Sequence, residues 1–290
     1  MSSPYVRRRR LAIELRALRE AHGLTADELA ARIHQSRIKI SKLENAHTRP
    51  DLSDVMNILR VLEVPDAEWR RYMELAADAA QKGWWDKYGD AMGERQRVYA
   101  DLESGADIIR EYHPGLLPGP MQTPEYILAL IQLTQAARPL KYSVDRLVQA
   151  RLQRKGQILR ANGPRYEVVL DEVGLRRYSG PADVYVAQLH HIVEVAESNS
   201  HVAVRVLPLR TAPIGELMPR AQLSVYTFPD PADPTIVVEA TVATDLIVTE
   251  SAEVAANLRR YDHVRDAALS EVSSLSFLGS LADEISSTAG

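Results

Sequence analysis

Between Ser36 and Asn45 the chain carries Arg37, Lys39 and Lys42, with Ser41 and the apolar Ile38 among them. Such side chains can meet both a phosphate and the edge of a base. Guanidinium and ammonium groups neutralise phosphates, and a guanidinium can also grip the O6/N7 edge of guanine in the major groove. This chemistry needs the cations on one free face. Ile40 and Leu43 mark the inward face of a helix, and Ser36 stands where an N-cap residue belongs. The outward face is then Arg37, Ile38, Ser41 and Lys42, with Lys39 beside it.

A neighbouring helix must hold that face out. Thr25 and Glu28 have the spacing of a capping box, and Leu29, Ala30 and Ile33 fall on one face behind them. Upstream, Leu11 to Ala21 is apolar at Leu11, Leu15 and Leu18 and stops at His22-Gly23. Downstream, Asp51 to Leu62 carries Leu52, Val55, Ile58, Leu59 and Leu62. Four or five short helices with a tight turn between the second and third make a helix-turn-helix, whose second helix enters the major groove. Charge agrees locally. Residues 1–62 hold twelve Lys and Arg against seven Asp and Glu, a net of +5, while the rest of the chain is at −9, giving the overall −4. Arg8, Arg9 and Arg10, with Arg7 before them, stand where an arm or first turn can lie along the DNA backbone without reading sequence. A solvated arm is the plain alternative for that run.

Residues 1–64 resemble the Cro/repressor (Xre)-type helix-turn-helix domains. Gly23-Leu24-Thr25, Glu28-Leu29-Ala30, Ser36, Ile40-Ser41-Lys42-Leu43-Glu44 and Arg49-Pro50 carry the likeness. The resemblance implies base contacts from Arg37, Ile38 and Lys42, and a buried structural pair between Arg19 and Glu44. Thr25, Ser36, Lys39, Ser41, Asn45 and Arg49 complete the expected DNA-binding set, with Arg8, Arg9 and Arg10. Three positions depart from the pattern: Ala26, His34 in the turn, and Ala46 where glycine is common. Asn tolerates the left-handed conformation better than Ala, so Asn45 is expected to end the helix.

The remaining chain reads as a second domain. Hydrophobic content of 46% over 290 residues suffices for two cores. No uninterrupted apolar stretch approaches a membrane span, no apolar run follows the arginines as in a secretory signal, and the absence of cysteine excludes disulfides and thiol chemistry. A cytoplasmic protein without cofactor is expected. Residues 65–82 read as a linking helix. Residues 83–163 read as helical, including Tyr99 to Glu111, Pro124 to about Ala136 behind a Thr123 cap, and Ser143 to about Arg160. Residues 164–270 read as α/β or α+β with a small sheet. Its strands are Tyr166–Leu170, Val202–Leu207, Leu223–Phe228, Thr235–Glu239 and Thr244–Val248, and its helices Ala182–Ser198 and Ser251–Leu269. Residues 271–290 read as a partly loose, Ser-rich tail. Trp84, Trp85 and Tyr88 form a dense aromatic cluster, read first as a packed hinge and second, with Tyr126, as a ligand or partner pocket.

Gly83-Trp84-Trp85, Leu117-Pro118-Gly119, Gln122 to Tyr126, Leu170-Asp171-Glu172 and Arg205-Val206-Leu207-Pro208 resemble the C-terminal domain of unknown function in antitoxin-like actinomycete regulators. That resemblance implies a small partner protein. Enzymatic motifs are lacking: there is no Gly-x-Gly-x-x-Gly, phosphate loop or Gly-x-Ser-x-Gly. His190 and His191 point about 100° apart on a helix and cannot easily share a metal, even with Glu194 one turn on. Asp171-Glu172 suits a strand-ending turn as well as a catalytic pair. The expectation is a non-enzymatic, dimeric transcriptional regulator, most simply a repressor. It would read an inverted repeat in double-stranded DNA with recognition helices about 34 Å apart. Its second domain would dimerise and take a small-molecule effector or a partner protein as its signal.

Overall fold

The computed structural model describes residues 2–137, 143–211, 215–241 and 244–289. Helix α1 (Pro4–Ala21) starts well before Leu11. Ser3 Oγ accepts from the Val6 amide at 3.2 Å, and Pro4 brings a preset φ to the first helical position. The arginine run therefore lies in the opening turns of a helix, the second of the two placements expected, and not in an arm. Then come α2 (Ala26–Arg32), α3 (Arg37–Glu44), α4 (Leu52–Val61) and α5 (Asp66–Ala80). Leu11 and Leu15 of α1, Leu29 of α2, Ile40 of α3 and Ile58 of α4 share one core, and Tyr72, Leu75, Ala76 and Ala79 of α5 join it. The expected linking helix is thus the fifth helix of the first unit, whose core reaches Ala79 rather than closing at residue 64.

A kinked 3-10 stretch, Trp84–Ala91, leads into α6 (Gly93–Gly105) and β1 (Ile108–His113). The helix expected over Tyr99 to Glu111 is therefore two elements. Period-2 burial of Ile109 on one face and Tyr112 on the other is hidden in the sequence by Arg110 and Glu111 between them. Helices α7 (Pro124–Ala137) and α8 (Val144–Leu159) cross over to β2 (Arg165–Asp171). The short α9 (Glu172–Arg176) and α10 (Ala182–Ser198) lead to β3 (Val202–Leu207). Then β4 (Leu223–Thr227), β5 (Ile236–Glu239) and β6 (Leu246–Val248) are followed by α11 (Ser251–Ala267) and α12 (Glu271–Ala289).

The six strands form one mixed sheet in the order β3-β2-β1-β4-β5-β6, parallel across β1, β2 and β3 and antiparallel from β1 through β6. Alternate residues face opposite sides. Tyr166, Val168 and Leu170 of β2 point toward α10 and α12, while Val169 points toward Tyr261 and Val264 of α11. The expected loose tail is α12, with Leu278, Leu281, Ala282 and Ile285 buried against the sheet side at helical spacing.

Helix α1 belongs to both units. Its second half fills the first core, whereas Val6 is fully buried in the core of the second unit. Ser3 Oγ donates to Asp101 Oδ1 of α6 at 2.7 Å, and the Tyr5 amide donates to the same oxygen at 2.9 Å. A Cβ on Gly105 would stand 2.3 Å from the Ser3 backbone nitrogen, so glycine is what lets α1 and α6 approach this closely.

Candidate DNA-binding interface

Local capping builds the interface as its residue types dictate. Thr25 and Glu28 close a capping box: the Thr25 amide donates to Glu28 Oε2 at 2.8 Å and the Glu28 amide to Thr25 Oγ1 at 3.2 Å. Ser36 Oγ accepts from the Lys39 amide at 3.2 Å. The turn between α2 and α3 passes through His34 at φ +55°, the position where glycine is usual. Behind α3, Arg19 Nε donates to Glu44 Oε1 at 2.7 Å and Arg19 Nη2 to Glu44 Oε2 at 2.9 Å, both side chains buried. This fork fixes α3 against α1.

Outward, Arg37, Ile38, Ser41 and Lys42 are all exposed, and Ile38 is 67% exposed. A buried position would have explained an isoleucine; here it stands among cations with nothing over it. Among the described residues Arg37 reaches only the exposed Asp27, at 3.4 Å. Among the described residues Lys42 has no ion pair. A hollow of about 240 Å³ lies beside this face, between α3 and Thr48–Asp51. Thr25 and Ser36 sit exposed at the two helix N-termini, where free amides favour anions.

Several members of the expected set face elsewhere. Lys39 is drawn to Asp54 of α4 at 2.5 Å and to Gln35 Oε1 at 3.3 Å. Both ends of the Asn45 amide are engaged, its Nδ2 donating to Ser41 O at 2.7 Å and its Oδ1 accepting from Arg16 Nη2 at 2.8 Å. Asn45 does not take the left-handed position; Ala46 does, at φ +57°. Arg49 Nη2 bonds Asp86 at 2.7 and 2.8 Å. Arg8 donates to Ala79 O and pairs with Asp101 at 3.6 Å. Arg10 pairs with Glu14, Asp230 and Asp233, and Arg7 joins it on Asp230 and Asp233. Arg9 lies over Tyr5 and bonds its hydroxyl. Most of the run is thus a clamp on carboxylates, not a strip for phosphate. Arg16, which holds the end of α3 through Glu44 O and Asn45, has no counterpart in the sequence expectations; its spacing one turn before Arg19 on α1 is the signal.

Two family models match the chain. One, described as Helix-turn-helix domain, matches residues 10–71. The other, described as Domain of unknown function (DUF5753), matches residues 96–280, more than half the chain. The protein belongs to the DUF5753 family. Comparison with curated proteins and with solved structures finds no match. The helix-turn-helix match assigns DNA binding to the head, and it runs into α5, as the shared core does.

Within the second unit, the aromatic residues proposed as a pocket fill space instead. Trp85 and Tyr88 are buried with Met92, Ala100 and Ala150, Trp84 meets both edge-on at 5.8 and 6.0 Å, and Tyr88 donates to Gln153 at 2.7 Å. Tyr126 is 1% exposed in the main DUF5753 core beside Tyr185. Trp84, Trp85 and Tyr88 pack the kinked 3-10 stretch against α6 and α8. Asp171 caps α9 through the Val173 amide at 2.8 Å. His190 is exposed, whereas His191 Nε2 accepts from Lys155 at 2.6 Å. Among the described residues no His, Asp and Glu group is placed to hold a metal, and no helix is long and apolar enough to cross a membrane.

Proposed function

We propose that the protein is a sequence-specific transcriptional regulator of Cro/repressor (Xre) type, non-enzymatic, acting in the cytoplasm as a homodimer on an inverted repeat, most simply as a repressor. The observation that carries this reading is the free face of α3. Arg37, Ile38, Ser41 and Lys42 protrude together on a helix whose inner side is pinned by the Arg19–Glu44 fork. Arginine and lysine suit guanine edges, and Ile38 suits a thymine methyl. Homodimerisation is supported by the reading logic alone, since a single short helix covers only a half-site. The actinomycete antitoxin-like reading, with a small partner protein as main target, rests on the sequence resemblance alone.

Selection of binding sites from random duplexes by the purified full-length protein tests it. The expected outcome is a motif with two half-sites about one helical turn apart, in which Arg37→Ala relaxes one or two base positions by about 1 to 3 kcal/mol. Failure to enrich any duplex at low salt would overturn the reading.

A further inference from the structure

On the DUF5753 side of α6 lies a cavity of about 570 Å³, within the range typical of small-molecule sites. We propose that it binds a small amphipathic carboxylate and that its occupancy acts on the DNA-binding head through α6. The second half of that statement rests on the regulatory reading of the head; the first does not.

The chemistry of the walls is lopsided. Leu130, Ile131 and Leu133 of α7 and Leu147 of α8 give the cavity an apolar part, and Arg95, Arg151 and Arg154 with the amides of Gln96 and Gln122 give it a cationic part; Arg95 is already held by Asp245 and Thr241 O, and Arg151 by Gln122. Among the described residues Glu111 is the one carboxylate in the lining, and its oxygens are already used: Oε1 accepts from Ser224 Oγ at 2.9 Å, and Oε2 from Tyr166 OH at 2.5 Å, with His113 Nε2 at 3.1 Å. Burial favours its neutral form, but the bonds from His113 and Tyr166 outweigh burial and hold it at about 2, firmly charged. What remains for a ligand is a surface rich in donors.

Arg154 is the centre of that surface. It is buried, its Nε donates to Glu103 at 2.6 Å and its Nη2 also bonds Glu103, while Nη1 reaches Gln96 Oε1 at 2.6 Å. These bonds use three of its five N–H groups. Gly119 lines the cavity beside the guanidinium, and a Cβ there would stand 3.4 Å from Nη1. A planar two-oxygen anion matches the guanidinium fork, and an apolar body matches the leucine wall.

Helix α6 links this site to the head. Arg95, Gln96 and Tyr99 face the cavity and Glu103 anchors Arg154, whereas Asp101 and Gly105 face Ser3, Tyr5 and Arg8 of the α1 end. Further along α1, Arg16 and Arg19 hold α3. A ligand that draws on Arg95 or Arg154 therefore pulls on the helix against which α1 is seated.

The test uses full-length, DNA-free protein, with 1-anilinonaphthalene-8-sulfonate as an anionic fluorescent reporter and decanoate and decanol as competitors. Expected is saturable binding of one reporter per chain, displaced at least tenfold more effectively by decanoate than by decanol. Leu133 is 52% exposed at the cavity wall, so charge can be placed there without disturbing the core. Leu133→Glu should weaken reporter and decanoate at least tenfold, and Leu133→Lys should not. No saturable binding, equal competition by decanol, or equal effects of the two Leu133 variants would overturn the site. Duplex affinity is then measured with and without decanoate. A change in the unsubstituted protein that Leu133→Glu abolishes supports the coupling; binding of decanoate with duplex affinity unaltered overturns it. A protein that binds decanoate but no duplex defeats the regulatory reading and leaves the site standing.

Discussion

Glu44→Ala should loosen the whole head, because it strips the acceptor from a buried cation. Arg19 would keep the Leu24 carbonyl at 2.6 Å and, through Nη2, the exposed Glu20 at 3.4 Å, but its Nε and the second Nη2 hydrogen would face a gap that water reaches poorly. Removing one partner of a buried pair costs about 3 to 5 kcal/mol. Arg19 and Glu44 keep 8% and 7% exposure, which places the cost at the low end, about 3 kcal/mol, or a fall of roughly 12 to 24 °C in the melting of a unit of this size. Replacing both residues, as in Arg19→Met with Glu44→Leu, removes charge and countercharge together and should recover most of that loss. Hydrogen exchange of the α1–α4 amides in the full-length protein reads the head separately from the sheet unit, and urea titration of Arg19→Met, Glu44→Leu and the double variant supplies the free energies for a double-mutant cycle. A single-variant cost below about 1 kcal/mol, or a cycle with no coupling, would refute the claim that this fork seats α3.

Three further outcomes are expected. Ala46→Gly should stabilise the head by about 0.5 to 1 kcal/mol, since the left-handed backbone strains alanine more than glycine's extra chain entropy costs; thermal denaturation checks it. Asp230 is held down to about 2 by the Ala232 amide and by Arg10, so its contribution is fully present above the ordinary aspartate range and is lost as pH falls toward 2. Asp230→Asn should flatten the stability profile in that acid window, measured by urea titration at each pH. Lys42→Ala should lower the salt slope of duplex binding by about one, whereas Arg10→Ala, whose cation is already matched by Asp230 and Asp233, should leave it nearly unchanged.

Elements whose apolar period is written in side chains were legible. The capping box at Thr25, the inward pair Ile40 and Leu43, and the strands over Val202–Leu207 and Leu223–Thr227 all follow from spacing. Helix α12 was also written there, as Leu278, Leu281, Ala282 and Ile285, but serine between them imitates a loose tail. Strand β1 was not legible. Its inward positions include Glu111 and His113: Glu111 is satisfied by Tyr166 and Ser224 on the neighbouring strands, which lie far off in sequence, and His113 in turn by Glu111 and Leu116 O. The donor-rich cavity was hidden with it.

Charge was the least specific signal, for a physical reason. A guanidinium is attracted alike to a phosphate and to a carboxylate, so an excess of +5 in the first 62 residues does not say which anion it meets. The fold divides it. Arg7, Arg8, Arg10 and Arg49 meet Asp230, Asp233, Asp101 and Asp86, all beyond α5, while Arg37 and Lys42 are left on the free face of α3. The acidic excess of the second unit is thereby partly a counterpart to the basic excess of the head, and the two compositions describe one attachment as much as one affinity for DNA. Because α1 carries both the clamp residues and the Arg19 that seats α3, the orientation of the reading helix and the docking of the sheet unit depend on the same helix. Any molecule that alters how α1 rests on α6 acts on both.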